Sequence, residues 1–556
     1  MKFFKSASKR AVCVMLAILM TTAGLSVAYA AEPGDSIIKG TFTMSTFDGT
    51  DPGEQTYYYS DSYFSGSGKV SNEHLKTMSA ALIFQVRGSS ATPVETFGAT
   101  LKNIGFNDIT AYDLDHTSLD SLGMLLAHKT VDGKEVVAVV IRGDDYEHEM
   151  AANLVSGTEG DIKAFADAEA LAESRVLSYI EQYSIDSAKY WVTGYSRSGA
   201  VGNLLGRELN KDPEKFRTTE DDIYVYTFEA ANGSTDSTVY ENIHSTINRN
   251  DFITYLYPSV WGIYSNGTPE YIGNADERIT IKILDVFSST FMGDYTEVEA
   301  SAYLDDMFSF LSKYLSRETY NEKVGIPLSK LLNVFYNMND LQKEESIAYF
   351  KQVLNELRND DEFLLTVFSV VAAPSDSESL DKLMELVIKY LIKVADGIGN
   401  PFDELTFETL KSSLRSILEA VAPVVAADMV AQYEKGEDLE SAPLYHIMTI
   451  VGNIKQIVGY HYNYNVFNEL KKLDSYYDDE TRSNLMGDVD LDGKITIDDA
   501  THIQKAAAGL ITLTDLQKKL ADVSGDGNVT IADATCVQKY LAQYDSRIGS
   551  TGTTVA

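Results

Sequence analysis

Two groups of side chains in this 556-residue sequence combine residue types with a spacing that chemistry can use. The first lies in YWVTGYSRSGAVGNLL, residues 190–205, where Ser196 stands between an apolar run and an amphipathic one. A strand, a tight turn and a helix would lift that hydroxyl clear of the fold, where a base can take its proton and leave an oxygen able to attack an acyl carbon. Gly194 relieves crowding before the serine. After it, Ser198 occupies the place of the second glycine of a G-x-S-x-G turn, and Gly199 follows one position late. An unreactive Gly- and Ser-rich turn between strand and helix has the same local pattern. The second group is an acidic twelve-residue loop written twice, DVDLDGKITIDD at 488–499 and DVSGDGNVTIAD at 522–533, each followed by A-T-x-x-Q-K.

A hard cation such as calcium needs several oxygens turned inward from one short loop, at positions 1, 3, 5, 7, 9 and 12, with glycine at position 6 for the sharp turn. The first loop offers Asp488, Asp490, Asp492, the Lys494 carbonyl, Thr496 directly or through water, and Asp499, around Gly493. The second offers Asp522, Ser524, Asp526, the Asn528 carbonyl, Thr530 and Asp533, around Gly527. Ser524 replaces a carboxylate, so the second loop is expected to hold its ion more weakly. Two calcium ions are expected in all, and no cofactor for chemistry at Ser196.

Each loop closes on Asp where an ordinary EF-hand has a bidentate Glu, and only a following helix is evident, over 498–510 and 532–542. The pair, residues 487–546, resembles a dockerin. That resemblance implies a small all-α calcium-binding module, a cohesin domain of a cellulosome-type scaffold as partner, and a cohesin-facing surface of Ile497, Asp498, Thr501, Gln504 and Lys505 with Ile531, Ala532, Thr535, Gln538 and Lys539. Ile497 and Ile531 suit core packing equally well.

The elements that must position Ser196 alternate between strand and helix. EVVAVVI at 135–141 reads as a buried strand. Ile162, Phe165, Ala168, Ala172, Val176, Ile180 and Tyr183 recur every three or four residues, which predicts a helix over 161–183. A short strand at 190–193, a helix over 198–209 and a strand IYVYTFE at 223–229 complete an α/β layer pattern. The stretches KEVVAVVIRGDD, KYWVTGYSRSGAVGNLL, IYVYTFEAAN and ENIHSTINRNDFITYLYP resemble the class-three, fungal-type lipases, over roughly residues 75–266 plus one distal histidine. The resemblance implies an α/β-hydrolase-type sheet, Ser196 as nucleophile, and Asp251 as the acid, with Asp236 as the alternative. The order Ser, Asp, His leaves His461 or His446 as the base. His461 is favoured because GYHYNYNVFNEL sets it in a loop before an aromatic-rich helix, whereas His446 in LYHIMTIV reads as a histidine buried on a helix. The backbone N–H of Arg197 is implied as one oxyanion donor and Asp144 as the residue giving the other, where Ser or Thr is usual. A carboxylate facing the developing charge would oppose the reaction unless turned away or protonated.

Composition bounds the remaining possibilities. Lys2, Lys5, Lys9 and Arg10, an apolar run over 11–19 and the ending Ala28-Tyr29-Ala30 read as a secretory signal peptide over 1–30. Cys13 would leave with it, so Cys536 is the only remaining thiol and no internal disulfide is expected. A net charge of -36 argues against nucleic acid and anionic membrane as partners. The chain beyond the signal exceeds a single core: an irregular or β-containing segment 31–71, the α/β core 72–278, a helical insertion 279–440 that is either a cap or an added bundle, the end of the α/β domain with its histidine at 441–470, a polar linker 471–486, the dockerin, and a disordered tail 547–556. The expectation is an extracellular, scaffold-borne serine hydrolase of carboxylic esters. Lipid esters are implied by the lipase resemblance and acylated plant polysaccharide by the dockerin. A silent hydrolase fold kept as a binding component, and more remotely a serine peptidase, are the alternatives.

Overall fold

The computed structural model describes residues 37–44, 53–85, 93–114, 122–142, 151–274, 278–281, 296–372, 377–398, 402–434, 458–477, 485–489, 495–508, 510–511, 513, 515–542 and 548–553. The expected signal peptide with Cys13, the oxyanion residue Asp144, the alternative base His446, and Asp490, Asp492 and Lys494 of the first acidic loop lie outside the described residues. The chain falls into two compact units, 1–469 and 470–556.

In the first unit, β1 (Ile38–Thr43) and β2 (Glu54–Tyr59) form an antiparallel hairpin within the segment expected to be irregular or β-containing. A seven-stranded sheet comes next in the order of the sequence, from β3 (Asn107–Tyr112), β4 (Met124–Val131) and β5 (Lys134–Ile141) through β6 (Ala188–Tyr195), β7 (Ile223–Phe228), β8 (Tyr240–Asn248) and β9 (Gly267–Ile272). β3 to β5 are antiparallel, and β5 to β9 run parallel. Every residue of β6 is buried, as a central parallel strand covered on both faces requires. Tyr190 and Val192 face one layer, with Phe165, Ala168, Ala172, Val176 and Ile180 of helix Lys163–Gln182 and Leu204, Leu205 and Leu209 of helix Arg197–Lys211. Trp191 faces the other, where its indole N–H donates to Ser79 Oγ at 2.7 Å. Ser79 belongs to helix Glu73–Phe84, which begins where the Asn72 side chain accepts from the Leu75 N–H. Tyr59, Phe64 and Phe106 pack around the same indole.

The insertion expected to be helical opens on a two-stranded ribbon, β10 (Arg278–Ile281) with β11 (Thr296–Glu299). The β-branched Ile279, Thr280, Ile281 and Val298 suit paired strands better than a helix end. Helices then run from Ala300–Tyr314 to Glu404–Glu434. Arg317 ties this bundle to the sheet domain: its guanidinium donates to the carbonyls of Ser156 at 2.7 Å, Gly157 at 3.0 Å, Gly160 at 2.7 Å and Asp161 at 3.2 Å. The Gly157 N–H donates to Asn321 Oδ1 at 2.9 Å from the same side.

In the second unit, the described part of the expected linker is structured. Helix Asn463–Leu473 runs into it, Tyr477 is buried, and Asp474 accepts from the Tyr476 N–H at 3.0 Å. Helices Ile497–Ala507 and Ile531–Leu541 pack together over Val489, Ile503, Leu520, Val523 and Val537. A third helix, Asp515–Ala521, precedes the second loop, so that loop has a helix on each side. Residues 548–553 of the tail expected to be disordered fold back on the module. The Met486 N–H donates to the Thr553 carbonyl and the Gly552 N–H to the Met486 carbonyl, and the Ser550 N–H reaches the Val523 carbonyl. Small polar residues without periodicity read as disorder, yet here their backbone groups do the binding. Among the described residues no helix is long and apolar enough to cross a membrane.

Replacing Arg317 by Ala is expected to destabilise the first unit by about 2 kcal/mol, since its bonds to carbonyls are charge-assisted. Lys cannot replace it, because one ammonium cannot span carbonyls fanned around a planar fork. Thermal unfolding of both variants checks this, and an unchanged midpoint would show that the tie carries no stability.

Candidate active site

The site forms at the carboxyl edge of the parallel strands. The register pairs Tyr195 with Phe228 and Phe228 with Thr246, so the residues just past β6, β7 and β8 leave the sheet side by side. Past β6 the chain turns into a helix within one residue. A Cβ at Gly194 would collide with the Ser198 carbonyl, which requires glycine there, and one at Gly199 would lie a tight 3.0 Å from both the Phe228 carbonyl oxygen and the Ala230 Cβ. Ser196 at the apex has φ 57° and ψ -122°, a left-handed strain a serine adopts only when its surroundings enforce it. Ser198 fits because its hydroxyl turns back into the elbow, donating to the Tyr195 carbonyl at 2.9 Å and accepting from the Tyr195 N–H at 2.8 Å.

Past β8, Asp251 precedes the short 3-10 turn Phe252–Tyr255. Its Oδ1 accepts from the Ile253 N–H at 2.9 Å, so it caps that turn, while its Oδ2 stands 2.6 Å from His461 Nδ1. Asp251 is 0% exposed. His461 lies just ahead of helix Asn463–Leu473, and its Nε2 is 2.8 Å from Ser196 Oγ. The Tyr195 ring stacks on the imidazole with centroids 5.0 Å apart, and the Tyr195 hydroxyl donates to the His461 carbonyl. Phe467, one helical turn on, packs edge-on against Phe42 and Phe84 and anchors the loop. The structure thus brings Ser196, His461 and Asp251 into one line of hydrogen bonds. Arg197 opens the helix behind Ser196, so its backbone N–H lies in the first turn, whose amides face the serine end.

Asp236 does not join them. It sits against Thr238 and Lys211 at the far end of helix Arg197–Lys211, and hydrogen bonds from Thr238 hold its carboxyl down to about 2. His244, set aside on chain order, is buried against Tyr226 and the Gly68 carbonyl, 3.2 Å from Glu270.

Two contributors were not foreseen. Tyr195 carries no signal beyond its place beside the serine. Glu229 is a fully buried carboxyl just past β7, with φ 48°, in contact with Asp251. Its signal was an acidic residue ending the buried run IYVYTF, where the bland reading is a solvated strand end. From the insertion, Tyr303, Leu304, Met307 and Phe308 of helix Ala300–Tyr314 pack with Phe252 and Tyr255, beside the acid, and with Tyr460, beside the histidine. Tyr255 stacks on Phe308 with centroids 5.7 Å apart.

In the second unit, Asp488, Asp499 and Asp533 are 0% exposed. Asp499 accepts from the Val489 and Thr496 N–H groups, both at 2.7 Å, and Asp533 from those of Ser524 and Thr530 at 2.9 and 2.8 Å. Asp522 accepts from Asp526 and Gly527, and Asp526 from Asn528. Gly527 at position 6 has φ 85°, as the sharp turn requires. Among the described residues no three acidic, His or Cys side chains already converge on one point. Ile497 and Ile531, which suited core or surface alike, are 57% and 58% exposed, on matching first positions of the two helices. Lys505, Ala532 and Gln538 are also exposed, Thr501, Gln504, Thr535 and Lys539 are half-buried, and the Asp498 side chain lies outside the described ones.

Residues 486–542 match the family model for the dockerin type I domain. Among curated proteins none matches. Solved structures similar to the chain include Rhizomucor miehei triacylglyceride lipase (19% identity, TM-score 0.28, covering 36% of this chain and 79% of that one), a lipase from Rhizopus microsporus var. chinensis (14%, 0.28, 36% and 74%) and lipase II from Rhizopus niveus (12%, 0.28, 36% and 81%). Residues 486–542 are thus a dockerin type I domain, and they follow a domain built on a mostly parallel seven-stranded sheet with helices packed on it.

Proposed function

We propose that the first unit is a serine hydrolase of carboxylic esters, secreted by way of residues 1–30 and held by its dockerin on a cohesin-bearing, cellulosome-type scaffold outside the cell. The observation that carries the reading is the line Ser196–His461–Asp251, with contacts of 2.8 and 2.6 Å, at the carboxyl edge of the sheet. As Ser196 Oγ attacks the ester carbon, His461 Nε2 takes its proton, and Asp251 holds the Nδ1 proton and balances the imidazolium. The carbonyl oxygen becomes an oxyanion that the Arg197 N–H meets, with the N–H of Asp144 as the second donor; such a donor is typically worth about 3 kcal/mol. His461 then returns the proton to the leaving alcohol, and water repeats the sequence on the acyl-enzyme.

Calcium is the cation proposed for the acidic loops. Buried Asp488, Asp499 and Asp533 place negative charge in a small apolar core, which favours a compensating cation. Asp488, Asp490, Asp492, the Lys494 carbonyl, Thr496 and Asp499 would hold one ion; Asp522, Ser524, Asp526, the Asn528 carbonyl, Thr530 and Asp533 would hold the other. The ions would fix the loops and so the helix faces that carry Ile497 and Ile531.

A fluorophosphonate probe is expected to label the wild type on Ser196, and Ser196→Ala to abolish labelling and lower ester hydrolysis by a factor on the order of 10⁴ or more. A wild type that takes no label favours the silent fold. Rates on long-chain p-nitrophenyl esters against acetylated xylan and feruloyl esters separate lipid from polysaccharide substrates.

For the module, chelation is expected to abolish cohesin binding measured by calorimetry. Replacing Ile497 and Ile531 together by Asp is expected to weaken binding by about tenfold or more, with helix content retained, because both side chains are largely in solvent. Binding that survives chelation would refute the calcium requirement.

A further inference from the structure

Asp251 has a carboxyl neighbour that the ester chemistry leaves without a role. Glu229 comes directly after β7, and its N–H donates to the Thr246 carbonyl at 2.9 Å, which locks it to β8. Its backbone has φ 48°, where glycine would be relaxed and glutamate is strained. Both its oxygens lie 3.0 Å from one donor, the Asn248 N–H, while the Asp251 N–H donates to the Asn248 carbonyl at 3.0 Å, so both acids are anchored on Asn248 and their carboxyls are in contact. Glu229 and Asp251 are both 0% exposed. Two carboxyls can share such a contact only if one of them carries a proton, because two adjacent anions without water repel strongly. Asp251 already serves as acceptor on both oxygens, from Ile253 and from His461. Glu229 has only the Asn248 amide.

We propose that Glu229 holds a proton and donates it in a hydrogen bond to Asp251, as the fourth member of a relay Ser196–His461–Asp251–Glu229 in which it is a positioning residue. The inference rests on the hydrolase reading for its role in catalysis, and for the shared proton on the burial of both carboxyls and their contact. The proton is not transferred in the reaction. It keeps the negative charge on Asp251, where the imidazolium needs it, and fixes the carboxylate plane. Burial, then the Asp251 charge and the hydrogen bond between the two carboxyls, push Glu229 well above the ordinary carboxylate range, while the Asn248 amide works the other way. The charged groups facing it among the described residues are Asp251 and, beyond it, His461.

The test uses the full chain with Glu229→Gly and Glu229→Gln. Glycine relieves the left-handed backbone and removes the donor, so folding is favoured while the relay is cut. Gln keeps a donor toward Asp251 and an acceptor for Asn248 without a titrating proton. Expected is a fall in kcat of about tenfold to a hundredfold for Glu229→Gly at unchanged KM, the size of a lost hydrogen bond to a charged group, with all but about threefold of it recovered in Glu229→Gln. Infrared difference spectra between wild type and Glu229→Gln at neutral pH should show a protonated carboxyl band lost in the variant. Unfolding should show Glu229→Gln gaining on the wild type as pH rises above 4.5, the ordinary value for Glu: a raised folded-state value means that the wild type's contribution is complete below that pH and is lost above it. A Gln variant as impaired as the Gly variant, a Gly variant of full activity, or no carboxyl band lost would each overturn the proposal. A wild type that neither labels nor hydrolyses esters overturns the hydrolase reading and with it the positioning role, and the band still decides the proton.

Discussion

The end of β6 and the start of the next helix come so close at Gly194 and Ser198 that no side chain fits between them, and the rest of the site depends on that approach. A chain that must reverse from strand to helix across one residue leaves that residue, Ser196, in a left-handed conformation costing about 1–3 kcal/mol. The cost is borne by the rigidity on either side, with a strand buried along its whole length before the turn and a helix packed on the sheet after it. Ser198 adds two hydrogen bonds back to Tyr195 that a glycine could not make. The departure from the common turn pattern in the sequence is therefore a local brace.

A parallel sheet delivers the ends of its strands to one edge, and here three neighbouring strands each deliver one group: Ser196 from β6, Glu229 from β7 and, after a short turn, Asp251 from β8. The imidazole cannot come from the same edge without another strand. It comes from more than 200 residues downstream and is held by Tyr195 beneath its ring and by Phe467 wedged among Phe42 and Phe84. The insertion occupies the sequence between acid and histidine, and its first helix packs against the loops that carry both.

Much of this was legible because buried parallel strands and amphipathic helices write strong patterns: β5, β6, β7 and the two helices between them lie within two or three residues of the ranges expected from hydrophobic spacing. The meeting of Ser196, Asp251 and His461 was anticipated through the resemblance to class-three lipases, with chain order and a histidine set before an aromatic-rich helix narrowing the choice of base. Glu229 could not be anticipated, since a glutamate after an apolar run reads as a strand end in water, and only the sheet register shows that the next strand's loop closes over it. The ribbon β10–β11 was masked by the helical stretch that comes after it. The tail at 548–553 escaped for a different reason: it is held through backbone groups, which every residue has and no composition advertises.

That tail has a further consequence for the second unit. Residues 486 and 552–553 exchange backbone hydrogen bonds, so the polypeptide enters and leaves the module at a single point, while Ile497 and Ile531 at the first positions of its two long helices reach solvent. A fold whose ends meet in this way tolerates being spliced into a surface loop of an unrelated host, because the two junctions need span no distance. The module is thus a portable adaptor by geometry, transferable to the middle of a polypeptide as readily as to its end.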